Sequence, residues 1–391
     1  MTLTRSRTDR MIASVAPVLD FYEHGTWERH HLDPDIADFA FGNPQEMPLP
    51  GLVDTLQRHA VPENKDWFAY KTSEEEPRQV VAEVLRGRTG LAYEPEDVAL
   101  TAGAFGALGV TIRALCDVGD EVIFLSPPWF FYELMIESSG ATPVRVRLDG
   151  PDFALATDAI AAAITPQTRA IIVNSPHNPS GRIYREPELA ALGRVLTEAS
   201  ARHGRPIILI SDEAYNRIVF DGIEFRSPAL DYDATLTIYT YGKTLLAPGQ
   251  RIGYAALSPT FPDRRASMSR IMIQQIASGW GFPNALLQHS ISDLESLSVD
   301  IAALQARRDR MVPALREMGY EVTRPEGTFY VMARSPEPDD VAFAERLAGL
   351  GAIVLPGSMA ELPGWFRISL TASDAMVERG LEAFRAAMIR R

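Results

Sequence analysis

A single cysteine in 391 residues excludes any intrachain disulfide. Cys116 lies in the apolar run Ile112-Arg113-Ala114-Leu115-Cys116, the setting of a buried thiol in a reducing compartment rather than of a nucleophile. Positive charge is also scarce: 38 Lys and Arg stand against 51 Asp and Glu, a net charge of −13. Nucleic acid and anionic membrane would repel such a chain, so neither is an expected partner. No apolar stretch reaches the length that crosses a bilayer. Arg5, Arg7 and Arg10 precede the apolar segment from Met11 to Leu19 in the manner of a signal peptide, but Ser14 and Pro17 interrupt it and Asp20 follows at once. The segment reads as an N-terminal arm, and the expected location is cytoplasmic.

Several catalytic signatures are missing too. His30 and His31 are adjacent, without the helical spacing that turns two imidazoles onto one metal, and there is no His-Glu-x-x-His. No metal is expected. Neither a Gly-x-Ser-x-Gly elbow nor a phosphate-binding P-loop occurs, and there is no repeat, low-complexity tract or heptad pattern.

What is present is an alternation of apolar runs with helical periodicity. Strands are expected at 97–100, 121–125, 143–148, 170–173, 206–210, 236–239 and 253–257. Several are continuously apolar, as strands covered on both faces are. Helices are expected at 105–116 and 186–201, the second with Leu189, Leu192, Val195 and Leu196 on one face. Beyond residue 257 the pattern turns helical, including 286–311, and then gives a smaller α+β section with strands at 320–322, 328–333 and 353–354 and a closing helix at 371–388. The expected architecture is α/β, a mostly parallel central sheet flanked by helices with a smaller α+β domain. Residues 1–45 would form the arm and part of the small domain, 46–280 the large domain and 281–391 the rest of the small one.

Ligands of open α/β sheets gather beyond the carboxyl ends of the strands. Asn174 and Asn178 follow one expected strand, Asp212 a second, and Thr240 with Lys243 a third. A lysine amine can hold an aldehyde cofactor as a Schiff base, and an arginine nearby, here Arg251, can hold a phosphate. The order of Asn178-Pro179-Ser180-Gly181, Asp212-Glu213-Ala214-Tyr215, Thr240-Tyr241-Gly242-Lys243 and Arg251 points to pyridoxal 5′-phosphate.

From about Asp38 to Arg367 these segments resemble the fold-type I aminotransferases of class I/II, the family that includes aspartate aminotransferase. The resemblance implies that Lys243 carries the cofactor and then shuttles the proton at Cα. It also implies that Asp212 pairs with the pyridine nitrogen, that Asn178 and Tyr215 bond the phenolic oxygen, and that Ala214 and Trp129 cover the two ring faces. Gly103, Ala104 and Phe105, with Thr240 and Arg251, would form the phosphate cup at a helix start. Tyr70 would reach the phosphate of a neighbouring subunit, which makes a homodimer the expected assembly. Arg367 would clamp the substrate α-carboxylate through its planar fork, with Gly42 on a loop beside it; Asn178 and Trp129 would also face the substrate.

The pattern departs from the family at Gly242, where serine is common, and at Glu75, where glycine is usual. The second departure makes the run Glu74-Glu75-Glu76 beside Tyr70, which reads as a solvated face. Phe105 cannot read a distal carboxylate as a lysine could, so a neutral or aromatic amino acid is expected rather than a dicarboxylic one. The expected reaction is ping-pong transfer from an α-amino acid to a 2-oxo acid; the alternative is a lyase, cyclase or oxidase that shares the first steps. A non-catalytic ligand sensor on this scaffold would need a DNA-binding module, for which the arm is too short.

Overall fold

In the computed structural model, which describes residues 6–148, 150 and 152–389, a seven-stranded sheet runs in the order Val98–Thr101, Gly253–Leu257, Thr235–Thr240, Ile208–Asp212, Thr168–Asn174, Glu121–Ser126 and Thr142–Arg147. All pairings are parallel except the two made by Gly253–Leu257. The central strands are buried at nearly every position, which is why they read as continuous apolar runs: helices cover both faces. Each of the seven expected strands is present, with ends displaced by up to two residues.

One displacement matters. The strand expected at 206–210 is Ile208–Asp212, so Asp212 is the last residue of the strand rather than a residue after it. Asn174 and Thr240 end their strands in the same way. Register places Asn174 opposite Asp212 and Asp212 opposite Ile238, so polar residues of neighbouring strands meet at one sheet edge.

A second apolar core lies outside this sheet. It is built on the antiparallel strands Leu355–Pro356, Trp365–Ser369 and Tyr330–Arg334 and the helix Asp374–Met388. Ala37–Asp38 pairs in parallel with Ala352–Ile353, so segments from both chain ends contribute to it. Here several expectations are corrected. The stretch 286–311 is two helices, Ala285–Glu295 and Ile301–Glu317, because Asp300 caps the second by accepting from Ala303 N–H. Residues 320–322 form no strand; only Val322 makes a bridge, to Ala333. Of the strand expected at 353–354, Ile353 ends a strand of one sheet and Val354 belongs to none, since the chain leaves that sheet after Ile353 and joins the other at Leu355. The closing helix starts three residues late, at Asp374, where Ser373 caps it.

The arm is a helix, Arg7–Glu23, lying along the helix Tyr132–Ser139 with Arg10 3.5 Å from Glu137; Arg5 is outside the described residues. No described helix is long and apolar enough to cross a membrane.

Candidate active site

The carboxyl edge of the sheet opens into a cavity of about 490 Å³. Asn174, Asn178, Asp212, Ala214, Tyr215, Thr240, Lys243, Arg251 and Arg367 all line it. Sequence reasoning had these residues on separate segments; the fold brings them around one space.

At the base, Asp212 is fully enclosed, and burial pushes its carboxyl above the usual range. Opposing that are the Tyr132 hydroxyl, which donates to it at 2.6 Å, the Ala214 N–H at 3.2 Å, and the positive charge of Lys243. A carboxylate held this way is ready to receive a cationic N–H. Lys243 sits in the short helix Tyr241–Thr244, capped by the Thr240 hydroxyl, which accepts from Gly242 N–H. Its Nζ lies 5.6 Å from the Tyr215 ring centre and 5.8 Å from that of Phe329.

One flank is shaped for an anion. Gly103 begins the helix Gly103–Leu115 at φ +72°, and a Cβ there would come within 2.9 Å of an Arg251 Nη. Glycine takes that φ without strain and leaves the space to the guanidinium. Arg251 donates to the carbonyls of Pro248 and Ala102 at 2.6 and 3.3 Å. Among the described residues it pairs with no carboxylate, and burial lowers its pKa. A guanidinium that lines the cavity beside a helix N-terminus and is paired with no carboxylate fits a phosphate.

The opposite end holds a second unpaired guanidinium. Arg367, buried on its strand, donates to Asn178 Oδ1 at 3.1 Å and to the Ala40 carbonyl at 3.0 Å, and lies 3.9 Å over the Tyr330 ring. Its Nε has no protein partner. Tyr330 also bonds Tyr215: burial raises Tyr215 strongly, whereas for Tyr330 burial is outweighed by Arg367 and Lys243, which lower it. Gly42 passes over this pair, where a Cβ would fall 2.5 Å from the Phe329 ring and 2.6 Å from the Tyr330 hydroxyl.

The remaining wall is aromatic. Trp129 meets Phe105, Phe131 and Tyr132 edge to face at 5.3–5.4 Å. Ala104 and Phe105 line the cavity beside them. Glu74 and Glu75 lie at the start of the helix Glu75–Thr89, with Lys71 3.4 Å from Glu74. Tyr70 does not line the cavity; it is 88% exposed beside Phe282. His177, which lies between Pro176 and Asn178, is buried, with Nε2 3.0 Å from the Pro127 carbonyl. That carbonyl only accepts, so Nε2 carries the proton and Nδ1 accepts from Ser180 at 2.7 Å.

Sequence reasoning missed Tyr132, Tyr330 and the cavity face of the N-terminal helix, Val18, Leu19 and Tyr22. Tyr132 was visible three residues after Trp129, a spacing that puts both on one side of a helix start. Tyr330 carried no local signal, being one strand residue among many.

Comparison with known proteins gives concordant results. A profile of the family described as aminotransferase class I and II matches residues 34–384. A protein named probable aspartate/prephenate aminotransferase from Thermus aquaticus is 34% identical over 361 residues, covering 90% of this chain and 92% of that one. Among solved structures, an aminotransferase from Eubacterium rectale superposes with a TM-score of 0.90 at 29% identity, covering 99% and 98% of the two chains. The aspartate aminotransferase of Thermus thermophilus with maleate gives 0.82 at 28% identity, covering 99% and 100%.

Proposed function

The chain belongs to the class I and II aminotransferases and is a pyridoxal-phosphate-dependent transaminase; from that premise we propose that it moves the amino group of a neutral or aromatic α-amino acid to a 2-oxo acid in two alternating half-reactions. The observation that carries the substrate reading is the placement of charge in the cavity. Its cationic lining residues are Lys243, Arg251 and Arg367, and the first two belong to the cofactor. Arg367 serves the α-carboxylate common to every amino acid. A second, distal carboxylate would meet Phe105, Trp129, Phe130 and Phe131 and lose hydration without gaining a partner.

When bound, pyridoxal phosphate supplies an aldehyde that condenses with amines and a ring that accepts electrons. Around it, Arg367 fixes the carboxylate and thereby the direction of the Cα–H bond. Lys243 Nζ takes that proton, and an amine on a short helix at the cavity floor can deliver it again on the other side of the reaction. Asp212, whose carboxylate accepts from Tyr132 and the Ala214 N–H, would pair with the ring nitrogen and favour its protonated form. Asn178, whose Oδ1 is taken by Arg367, would offer its side-chain N–H to the phenolic oxygen, with Tyr215 beside it. Trp129 excludes water from the ring face.

The reading extends to a homodimer in which Tyr70 completes the neighbouring site. It is supported by the exposure of Tyr70, packed on the exposed Phe282, and by the exposed aromatic residues Phe68 and Trp280, side chains of the kind a subunit interface covers.

The test is to add single amino acids to the holoenzyme and follow cofactor absorbance, keto acid and ammonia. Leucine-like or aromatic donors yielding one keto acid per site, ahead of aspartate, are expected. Preference for aspartate overturns the substrate reading. Ammonia released over many turnovers without an acceptor moves the reaction to elimination, oxidation or cyclisation.

A further inference from the structure

We propose that Asn174 is a positioning residue that couples Asp212, at the cofactor end of the cavity, to Arg367 at the substrate end. The inference rests on the reading above, because it takes Arg367 as the receiver of the substrate carboxylate. Asn174 ends its strand directly opposite Asp212. Its Nδ2 donates to the Asp212 carbonyl at 2.9 Å, and its Oδ1 accepts the Asn178 N–H at 2.7 Å. Asn178 Oδ1 in turn accepts from Arg367 at 3.1 Å. A continuous line of hydrogen bonds therefore runs from the main chain of the ring-binding carboxylate to the guanidinium, and every member is buried.

Only a short amide can occupy the middle of this line. It needs a donor and an acceptor on one side chain at fixed separation. Aspartate would turn a second lone pair on the Asp212 carbonyl, and serine cannot span both partners. The Asp212 carbonyl also accepts the Ser175 N–H at 3.2 Å, so that end would survive truncation. The Asn178 N–H would not: it would be left buried without an acceptor, and relief requires the 175–181 turn to move. Movement there displaces Asn178 Oδ1 from Arg367, so the loss is read at the substrate clamp, remote from the altered side chain.

The experiment is a double-mutant cycle on equilibrium binding of 3-phenylpropionate, and of acetate as a minimal carboxylate, followed by the visible absorbance of the bound cofactor. Asn174→Ala should weaken 3-phenylpropionate about 5-fold or more, and by less than about 2-fold when Arg367 is already Lys. Asn174→Asp keeps the acceptor for the Asn178 N–H but sets a second lone pair against the Asp212 carbonyl; any weakening it causes should likewise fall below about 2-fold when Arg367 is Lys, whereas a packing or charge effect unrelated to the clamp would persist in both backgrounds. Equal losses in both Arg367 backgrounds, or binding within about 2-fold of the parent for both Asn174 variants, overturns the proposal. If the unaltered holoenzyme binds neither carboxylate, the role given to Arg367 fails first and the coupling falls with it. Should Asn174→Ala not fold, the Asn174→Asp arm decides alone.

Discussion

Two guanidinium groups without carboxylate partners among the described residues, Arg251 on one flank of the cavity and the buried Arg367 at the other end, are the residues on which the site turns. A cation that lines a cavity and is paired with no protein carboxylate marks where an anion belongs, and the two should separate experimentally. Arg251→Leu is expected to raise the dissociation constant for pyridoxal phosphate about 10- to 100-fold, the worth of one charged hydrogen-bonding group, measured by titrating the apoprotein. Arg367→Leu should leave that constant nearly unchanged and raise KM for the amino donor by a similar factor. His177 sets a pH limit on stability. Burial lowers its pKa from 6.5 to about 4, so the unfolded chain takes up its proton before the folded one does. This residue's contribution is complete above pH 6.5 and is lost as pH falls to about 4, in all about 3 kcal/mol at 1.36 kcal/mol per unit. Denaturant unfolding at a series of pH values should show that slope, and His177→Gln should flatten it.

At the scale of elements, the short helix that carries Lys243 depends on a buried ion pair behind it. Arg217 lies 2.6 Å from Glu295, the last residue of the helix Ala285–Glu295, and the Tyr241 hydroxyl donates to the same carboxylate at 2.5 Å. Arg217 also covers the Tyr239 ring at 4.5 Å. Removing one partner leaves the other charge buried, so Arg217→Met should cost about 3 kcal/mol in denaturant unfolding, and adding Glu295→Leu should recover most of it. Strands and helices of the large sheet were legible because burial on both faces writes a continuous apolar run into the sequence. Residues 320–322 and 353–354 misled because short apolar pieces in the smaller core change partners within a residue or two, and no local pattern records a partner. The break at residues 296–300 was legible in principle through Asp300, a capping residue followed by an apolar helical start.

For the whole molecule the open matter is the second subunit. If Tyr70 completes the neighbour's site, a chain lacking Lys243 and a chain lacking Tyr70 should rescue each other. Mixing Lys243→Ala with Tyr70→Ala after reversible dissociation should restore roughly a quarter of the parent activity, since half of the dimers are hybrids and each hybrid has one whole site. Activity no higher than the sum of the separate variants would place Tyr70 outside the neighbour's site. Sedimentation on the same samples establishes whether dimers form.

The sequence by itself determined the family and picked out one lysine, one carboxylate, two arginines and one turn that the structure finds around a single cavity, because those residue types in that order fall at the ends of recognisable strands. Tertiary structure alone decided how they meet. That Tyr132 reaches Asp212, that Tyr330 lies under Arg367, and that Asn174 stands between two ends of one cavity are consequences of strand register and of a second core packed across the sheet edge. Such contacts join residues from about 40 to nearly 200 positions apart, and a hydrogen bond at that separation leaves no periodicity for a linear reading to find.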